Sequence, residues 1–225
     1  MHSRFVPRSA TADKPLLRGW SHAVAAGAAA VFTVMVVPHA VGDWLRLTTL
    51  TVYCLAQVWL FACSAIYHVL PWPPGRLKLL RAVDHGNIYV VIAATSTAIS
   101  ANVLDGCQRF LPLAAVWVFA LIGVAATIAH VRVAAAPRVA FYVLTGLTGI
   151  LAAPALVAAL PFEAIVAIVG GALLYIAGGA VYALRRPDPY PRFFGHYELF
   201  HVFVIAGSGV FSVVIWRWVL PLAAR

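Results

Sequence analysis

Residues 139–184 read VAFYVLTGLTGILAAPALVAALPFEAIVAIVGGALLYIAGGAVYAL and contain one charged side chain, Glu163. A run of about 17–25 apolar residues is long enough to cross the hydrocarbon core of a bilayer as a helix. Pro161 divides this stretch into two such runs, at about 139–160 and 163–184. The stretch therefore predicts two consecutive membrane-spanning helices joined by a tight turn.

The same pattern continues through the rest of the chain. Hydrophobic residues make up 63% of its 225 residues and charged residues 10%, whereas a soluble domain has about 25% charged residues. We therefore predict an all-α integral membrane protein, with a tail at 1–19 and one domain of seven transmembrane helices at 20–220. The predicted spans are about 20–39, 47–69, 84–104, 110–131, 139–160, 163–184 and 198–220.

The positive charge is sorted between the two sides of these spans. With the N-terminus inside, twelve of the sixteen Lys and Arg residues fall in inner segments and four in outer ones. The positive-inside rule then predicts a cytoplasmic N-terminus and an external C-terminus in a multi-pass bacterial plasma-membrane protein. Topology accounts for the net charge of +9, so the expected partners are membrane lipids, including anionic inner-leaflet headgroups, and no nucleic acid is expected.

Two classes of seven-helix protein are excluded by this arrangement. A retinal protein needs a lysine within a late span for its Schiff base, but the two lysines, Lys14 and Lys78, lie outside the spans. A receptor coupled to G proteins has its N-terminus outside, which the charge bias opposes.

Ionisable residues converge on one depth of the predicted bundle. Span two ends at the inner side, and spans three and seven begin there. Each of these three ends carries ionisable side chains, which are costly in a membrane and indicate function. These residues are His68 in span two, Asp84 and His85 in span three, and His196, Glu198 and His201 in span seven.

The residue types predict a metal-dependent hydrolytic site. His68 and His201 are candidate zinc ligands, since imidazole is the commonest metal-binding side chain. Asp84 is positioned to orient a ligand or to accept the proton of a bound water. Ser64 shares a helix face with His68 and is a candidate hydrogen-bond donor to a substrate carbonyl. Zinc lowers the pKa of water to about 7, which suits attack on a lipid amide or ester.

The remaining histidines receive a simpler interpretation. We interpret His2, His22, His39 and His130 as hydrogen-bonded residues near the membrane interfaces, because their positions do not indicate a shared site. A haem held by a pair such as His22 and His130 is the alternative.

Three blocks carry a resemblance to a known family: SAIYH at 64–68, RAVDHGNIY at 81–89 and ELFHVFV at 198–204. They are similar to those of the haemolysin III proteins, bacterial members of the progestin and adipoQ receptor superfamily, which resembles the alkaline ceramidases. The resemblance implies a seven-helix fold and a zinc site near the cytoplasmic side. His68 and His201 match two of its ligands, and Asp84 and Ser64 match its supporting acid and serine.

The third ligand departs from the family pattern. The His-x-x-x-His motif of the last helix would place a histidine at position 197, where this chain has Tyr197, and His196 comes one residue earlier. A five-residue step turns two side chains about 140° apart on a helix, against about 40° for four residues. His196 therefore reaches the metal only where the start of span seven departs from a regular helix. Tyr197 and Glu198 are the alternative third ligands.

Three functions follow as hypotheses. The first is a zinc-dependent hydrolase of a lipid amide or ester. The second is a pore or cytolysin, as the family name implies, although the middles of spans four to six offer few polar residues for a water path. The third is a lipid-sensing regulator of membrane state, in which the metal site is structural only.

Overall fold

A computed structural model describes residues 17–131, 133–190 and 193–222. Most of the predicted N-terminal tail lies outside these ranges, and so do His2 and six of the sixteen counted cations: Arg4, Arg8, Lys14, Arg132, Arg192 and Arg225. The described residues form helices, seven of which are long and apolar enough to cross a membrane, so the predicted fold class is confirmed. The spans are Trp20–Ala40, Trp44–Val69, Pro74–Val103, Gly106–Ile128, Ala135–Ala159, Phe162–Leu184 and His196–Val219.

Eight α-helices make up these spans. The fifth span consists of two of them, α5 and α6, separated by the 3-10 turn Thr148–Ala152. The helices are α1 (Trp20–Val36), α2 (Trp44–Val69), α3 (Pro74–Val103), α4 (Gly106–Ile128), α5 (Ala135–Leu147), α6 (Ala153–Ala159), α7 (Phe162–Leu184) and α8 (His196–Val214).

The predicted span limits lie within four residues of the observed ones except in α3. This helix begins at Pro74, ten residues before the predicted start at 84. Proline is favoured in the first turn of a helix, where its missing N–H is not needed. Arg76, Lys78 and Arg81 therefore lie within the helix. These charged residues interrupt the apolar run from which the start of the span was predicted, but they do not interrupt the helix.

Apolar side chains cover the outer surface of the bundle, whereas glycines bring its helices together inside. Val24 and Val34 are about three-quarters exposed, as expected of side chains that face lipid. A Cβ at Gly178 of α7 would lie 2.8 Å from the Cβ of Phe203 in α8. The close α7–α8 packing therefore depends on small residues, as in many membrane helix pairs.

Charged residues are distributed unevenly between the two ends of the bundle. We call the end that holds His68, Asp84 and Glu198 the histidine end. Among the described residues, the cations at that end are Arg18, Arg76, Lys78, Arg81, Arg138, Arg185 and Arg186, against Arg46, Arg109 and Arg217 at the other end. The bias used for the topology thus persists in the folded chain, and the orientation itself stays a prediction.

Candidate functional site

Three buried side chains from three helices meet at the histidine end. His68 of α2 lies with its Nε2 3.8 Å from Oδ2 of Asp84 in α3. The ring centre of His68 is 5.3 Å from that of His201 in α8. The structure therefore brings together three of the six residues that the sequence placed at one depth.

Ser64 supports this group from the preceding turn of α2. Its side chain is buried and lies near the Asp84 carboxylate. Ser64 and Asp84 also line the same internal cavity. The serine and the acid are thus adjacent, as their expected roles require.

His22 of α1 belongs to the same group, which corrects our interpretation of this residue as an interface histidine. Its side chain is 3% exposed. Its ring stacks on that of His201 with 3.8 Å between ring centres, and its edge contacts Phe61. His130, in contrast, is exposed beyond the end of α4, so the structure does not pair it with His22.

Three ring nitrogens of His22 and His201 are buried without a hydrogen-bond partner among the described residues. Neither ring nitrogen of His22, nor Nδ1 of His201, has a hydrogen-bond partner within residues 17–131, 133–190 and 193–222. A buried polar group left unpaired costs about 1–3 kcal/mol. Such groups are uncommon in folded proteins and indicate a site that binds a ligand or an ion.

A glycine holds the start of α1 against His68. Gly19 has a φ of +87°, and a Cβ at this position would lie 2.8 Å from the Cβ of His68. Only glycine adopts this backbone conformation without strain. His22 follows Gly19 by three residues in α1, so this contact holds the start of the helix that carries His22 against α2.

The three candidate third ligands of α8 lie in different surroundings. The ring of Tyr197 lies edge-on to both His68 and His201, with ring centres 5.0 and 4.9 Å apart. Both carboxylate oxygens of Glu198 are engaged, one with Arg18 and one with the N–H of Gly195.

His196 is the first residue of α8 and is bound elsewhere. Its N–H donates to Oδ1 of Asp188 at 2.7 Å, and its Nδ1 lies 3.3 Å from the same oxygen. The helix is regular from this residue onward, and the described contacts of His196 do not include His68 or His201.

The geometry fits two ligands of a zinc ion and leaves the third ligand open. Two imidazoles on one tetrahedral zinc, each about 2.0–2.1 Å from the metal, have ring centres about 5 Å apart, close to the separation of His68 and His201. The stacked rings of His22 and His201 are too close and too parallel for this arrangement. Accordingly, no three His, Cys, Asp or Glu side chains of the described part of the chain form a ready metal site.

An elongated cavity of about 290 Å³ extends from this group into the bundle. Its polar end is formed by His22, Ser64, Asp84 and His201. Along α3 the lining continues from Asp84 to Ser100, about 24 Å at 1.5 Å per residue. Away from the polar end the lining is mostly apolar. The cavity therefore has the form expected for a hydrocarbon chain with a polar group at one end.

A basic residue lies beside the polar end of the cavity. His85 lines the cavity, and its Nδ1 is 3.2 Å from Nη1 of Arg138 in α5. The hydroxyl of Tyr142 donates to the carbonyl of His85 at 3.1 Å. These contacts link the first turns of α5 to the site.

Comparisons with known proteins identify the family of this chain. The model of the family described as "Haemolysin-III related" matches residues 10–212. "Hemolysin-3" of Bacillus cereus is 28% identical over 174 residues, which are 77% of this chain and 76% of the relative. "Hemolysin-3 homolog" of Bacillus subtilis (strain 168) is 27% identical over 180 residues, 80% of this chain and 81% of the relative. The chain therefore belongs to the haemolysin III family of the progestin and adipoQ receptor superfamily and is a multi-pass protein of the bacterial cell membrane.

Proposed function

We propose that this protein is a metal-dependent hydrolase that cleaves an amide or ester bond of a membrane lipid. The observation that supports this proposal is the junction of the long apolar cavity with the histidines and Asp84 at its polar end. A lipid chain in the cavity would place its amide or ester group beside those side chains. Zinc, with His68 and His201 as two of its ligands, is the proposed cofactor.

The site residues have distinct proposed roles. When bound, zinc polarises a carbonyl and makes a water acidic enough to react near neutral pH. Asp84 accepts the proton of the attacking water, which its distance from His68 permits. Ser64, beside that carboxylate, hydrogen-bonds the substrate carbonyl and holds it in place. Tyr197, Glu198 and His196 stay predicted alternatives for the third ligand.

The cavity contributes by excluding water and by selecting a chain. Burial of each CH₂ group contributes about 0.8 kcal/mol, so a long chain would supply much of the binding energy. Polar lining residues are concentrated at one end, whereas a pore requires them across the whole membrane. The lining therefore favours lipid binding over conduction by a single chain.

The cations at the histidine end support a further part of the proposal. We assign this end to the cytoplasmic side, where the anionic headgroups of the inner leaflet are the expected partners. Accessibility of single cysteines introduced at Arg76 and Arg109 to an impermeant thiol reagent tests the assignment, in a variant that lacks the three native cysteines. Labelling of the Arg109 position alone in intact cells is expected.

Activity is tested with purified protein in detergent and in vesicles. Single-chain and double-chain lipid amides and esters, each with a labelled acyl chain, are incubated with zinc-loaded protein and with chelator-treated protein. We expect release of the labelled acid that depends on zinc. Chain-dependent binding without release by metal-loaded protein would instead support the lipid-sensing regulator, because the cavity would then serve recognition alone.

A further inference from the structure

The register of α8 lacks the third histidine, and a different helix supplies an imidazole at the same place. Tyr197 stands where the family pattern has a ligand, and the edge of its ring contacts those of His68 and His201. His22 approaches the same pair from α1, stacked on His201. We propose that His22 is the third ligand of the metal site in this chain, an inference that rests on the proposed metal-dependent function.

The side chain of His22 has the properties of a ligand that awaits a metal. It is almost fully buried, it lines the polar end of the cavity, and both of its ring nitrogens lack a hydrogen-bond partner among the residues that the structure describes. Three imidazoles form a donor set that suits zinc. The carboxylate of Asp84, 3.8 Å from His68, lies beside this set as the proposed base.

Rotation of the His22 side chain would take its ring from stacking on His201 to binding the metal. In the structure its ring is nearly parallel to that of His201, at 19°, whereas two ligands of one ion point their nitrogens at a common point. A change in the two side-chain torsions of His22 would redirect its ring and would break no hydrogen bond between its nitrogens and the described residues. The contact between Gly19 and His68 keeps the backbone of α1 close enough for this motion.

Tyr197 is held in place in a way that leaves the third position to His22. The guanidinium of Arg18 lies 4.8 Å from the centre of the Tyr197 ring. Arg18 also donates to Glu198 at 2.7 Å, so this residue fixes both of the neighbouring α8 alternatives. His22, in contrast, has ring contacts with Phe61 and His201, and its two ring nitrogens have no hydrogen-bond partner among the described residues.

Metal content and affinity test the proposal without reference to activity. Full-length protein, purified without chelators, is analysed by mass spectrometry for zinc per chain, and its affinity is measured by competition with a chromophoric chelator. The variants are His22→Ala, His68→Ala, His201→Ala and the control His39→Ala. The control removes His39, which is exposed and hydrogen-bonded to the carbonyl of Met35.

We expect about one zinc per chain in the wild type and in His39→Ala, and loss of zinc from the other three variants. The loss of an outer-shell partner costs about 10–100-fold in metal affinity, so we expect His22→Ala to weaken binding by more than about 100-fold. A smaller decrease would overturn the role of His22 and leave the proposed function in place. A wild type without metal affinity would overturn both.

A second variant separates ligand loss from misfolding. Tyr197→His restores the family register in α8, so the double variant His22→Ala/Tyr197→His should regain zinc to within about tenfold of the wild type. Recovery shows that the single variant lost a ligand and not its fold. Zinc loss in His22→Ala that the second substitution does not rescue would assign His22 a structural role and refute the proposal.

Discussion

Both ends of the last transmembrane helix are near buried polar side chains, which bind backbone carbonyls at one end and line a cavity at the other. Beyond the distal end of α8, the two terminal nitrogens of Arg46 donate to the carbonyls of Leu220 and Leu222. At the histidine end, His22 and His201 line a cavity and have nitrogens without a hydrogen-bond partner among the described residues. The first arrangement holds the fold together, and the second is suited to bind something.

This difference gives a physical criterion for recognising function in the bundle. Arg46 is 8% exposed, so burial alone does not distinguish it from the histidines. What distinguishes the two regions is how the polar groups are used. A buried charge paired with backbone carbonyls stabilises the structure, whereas the nitrogens of His22 and His201 that lack a partner among the described residues retain their capacity to bind an ion.

The largest expected effect comes from removing the carboxylate of the site. Asp84→Asn keeps the size of the side chain but removes the base, and loss of a positioned base costs about 10²–10⁴-fold in rate. We expect turnover of the lipid substrate to fall by about this factor while zinc content stays near the wild-type value. Turnover and metal content measured on the same preparation separate a chemical role from a ligand role.

Ser64→Ala is the variant to compare with Asp84→Asn. Ser64→Ala removes a hydroxyl that is proposed to position the substrate, so a smaller decrease in turnover is expected. If Asp84→Asn were to leave the rate unchanged, the carboxylate would not be the base and its contact with His68 would be structural.

At the opposite end, the expected effect is on stability and not on metal binding. Arg46→Ala removes two charge-assisted hydrogen bonds and leaves their carbonyls to find other partners, which we expect to cost about 3 kcal/mol in unfolding free energy. Thermal unfolding in detergent measures the change, with Arg217→Ala as an exposed control. Loss of zinc in Arg46→Ala under folded conditions would contradict the separation of the two ends.

The sequence predicted the fold well because its signal is local. Length and hydropathy define each span without any knowledge of its neighbours. The start of α3 was the main difference, since Arg76 and Lys78 break the apolar run but not the helix. Charged residues indicate where a helix leaves the membrane, but they do not indicate where the helix itself ends.

The site was predicted only in part, because a site is formed by neighbours distant in sequence. His68, Asp84 and His201 were recognised from their shared depth. His22 also lies at the inner end of its span, so the same depth argument applied to the first helix would have included it. Its stacking on His201 could not be predicted, because no local pattern shows that α1 packs against α8.

Helix packing beside the site has a smaller expected effect. A Cβ at Gly178 would lie 2.8 Å from Phe203, two residues beyond His201, whereas a Cβ at Gly170 meets nothing within 4 Å. Gly178→Ala should destabilise the protein by about 1–3 kcal/mol through overpacking. Gly170→Ala should be neutral or stabilise it by up to about 1 kcal/mol through helix propensity. Equal melting temperatures in the two variants would show that the α7–α8 contact tolerates displacement.

The smallest expected effect concerns His196 and the start of α8. The N–H of His196 donates to Asp188 and lowers the pKa of this exposed carboxyl below its ordinary value of about 3.8. Because the pKa is lower in the folded state, the contribution to stability is present above about pH 4 and is lost as the pH falls through the lowered pKa. Asp188→Asn should therefore flatten the acid side of the stability profile slightly, as measured by melting temperature against pH.

The same variant also distinguishes the two positions considered for His196. If His196 serves only the start of α8, Asp188→Asn changes the acid stability and leaves zinc affinity unchanged. If His196 is a metal ligand, release from Asp188 should alter zinc affinity at neutral pH, where the carboxylate is otherwise charged. Zinc affinity at neutral pH, compared between the wild type and Asp188→Asn, thus shows whether His196 only stabilises the start of α8 or also binds the metal.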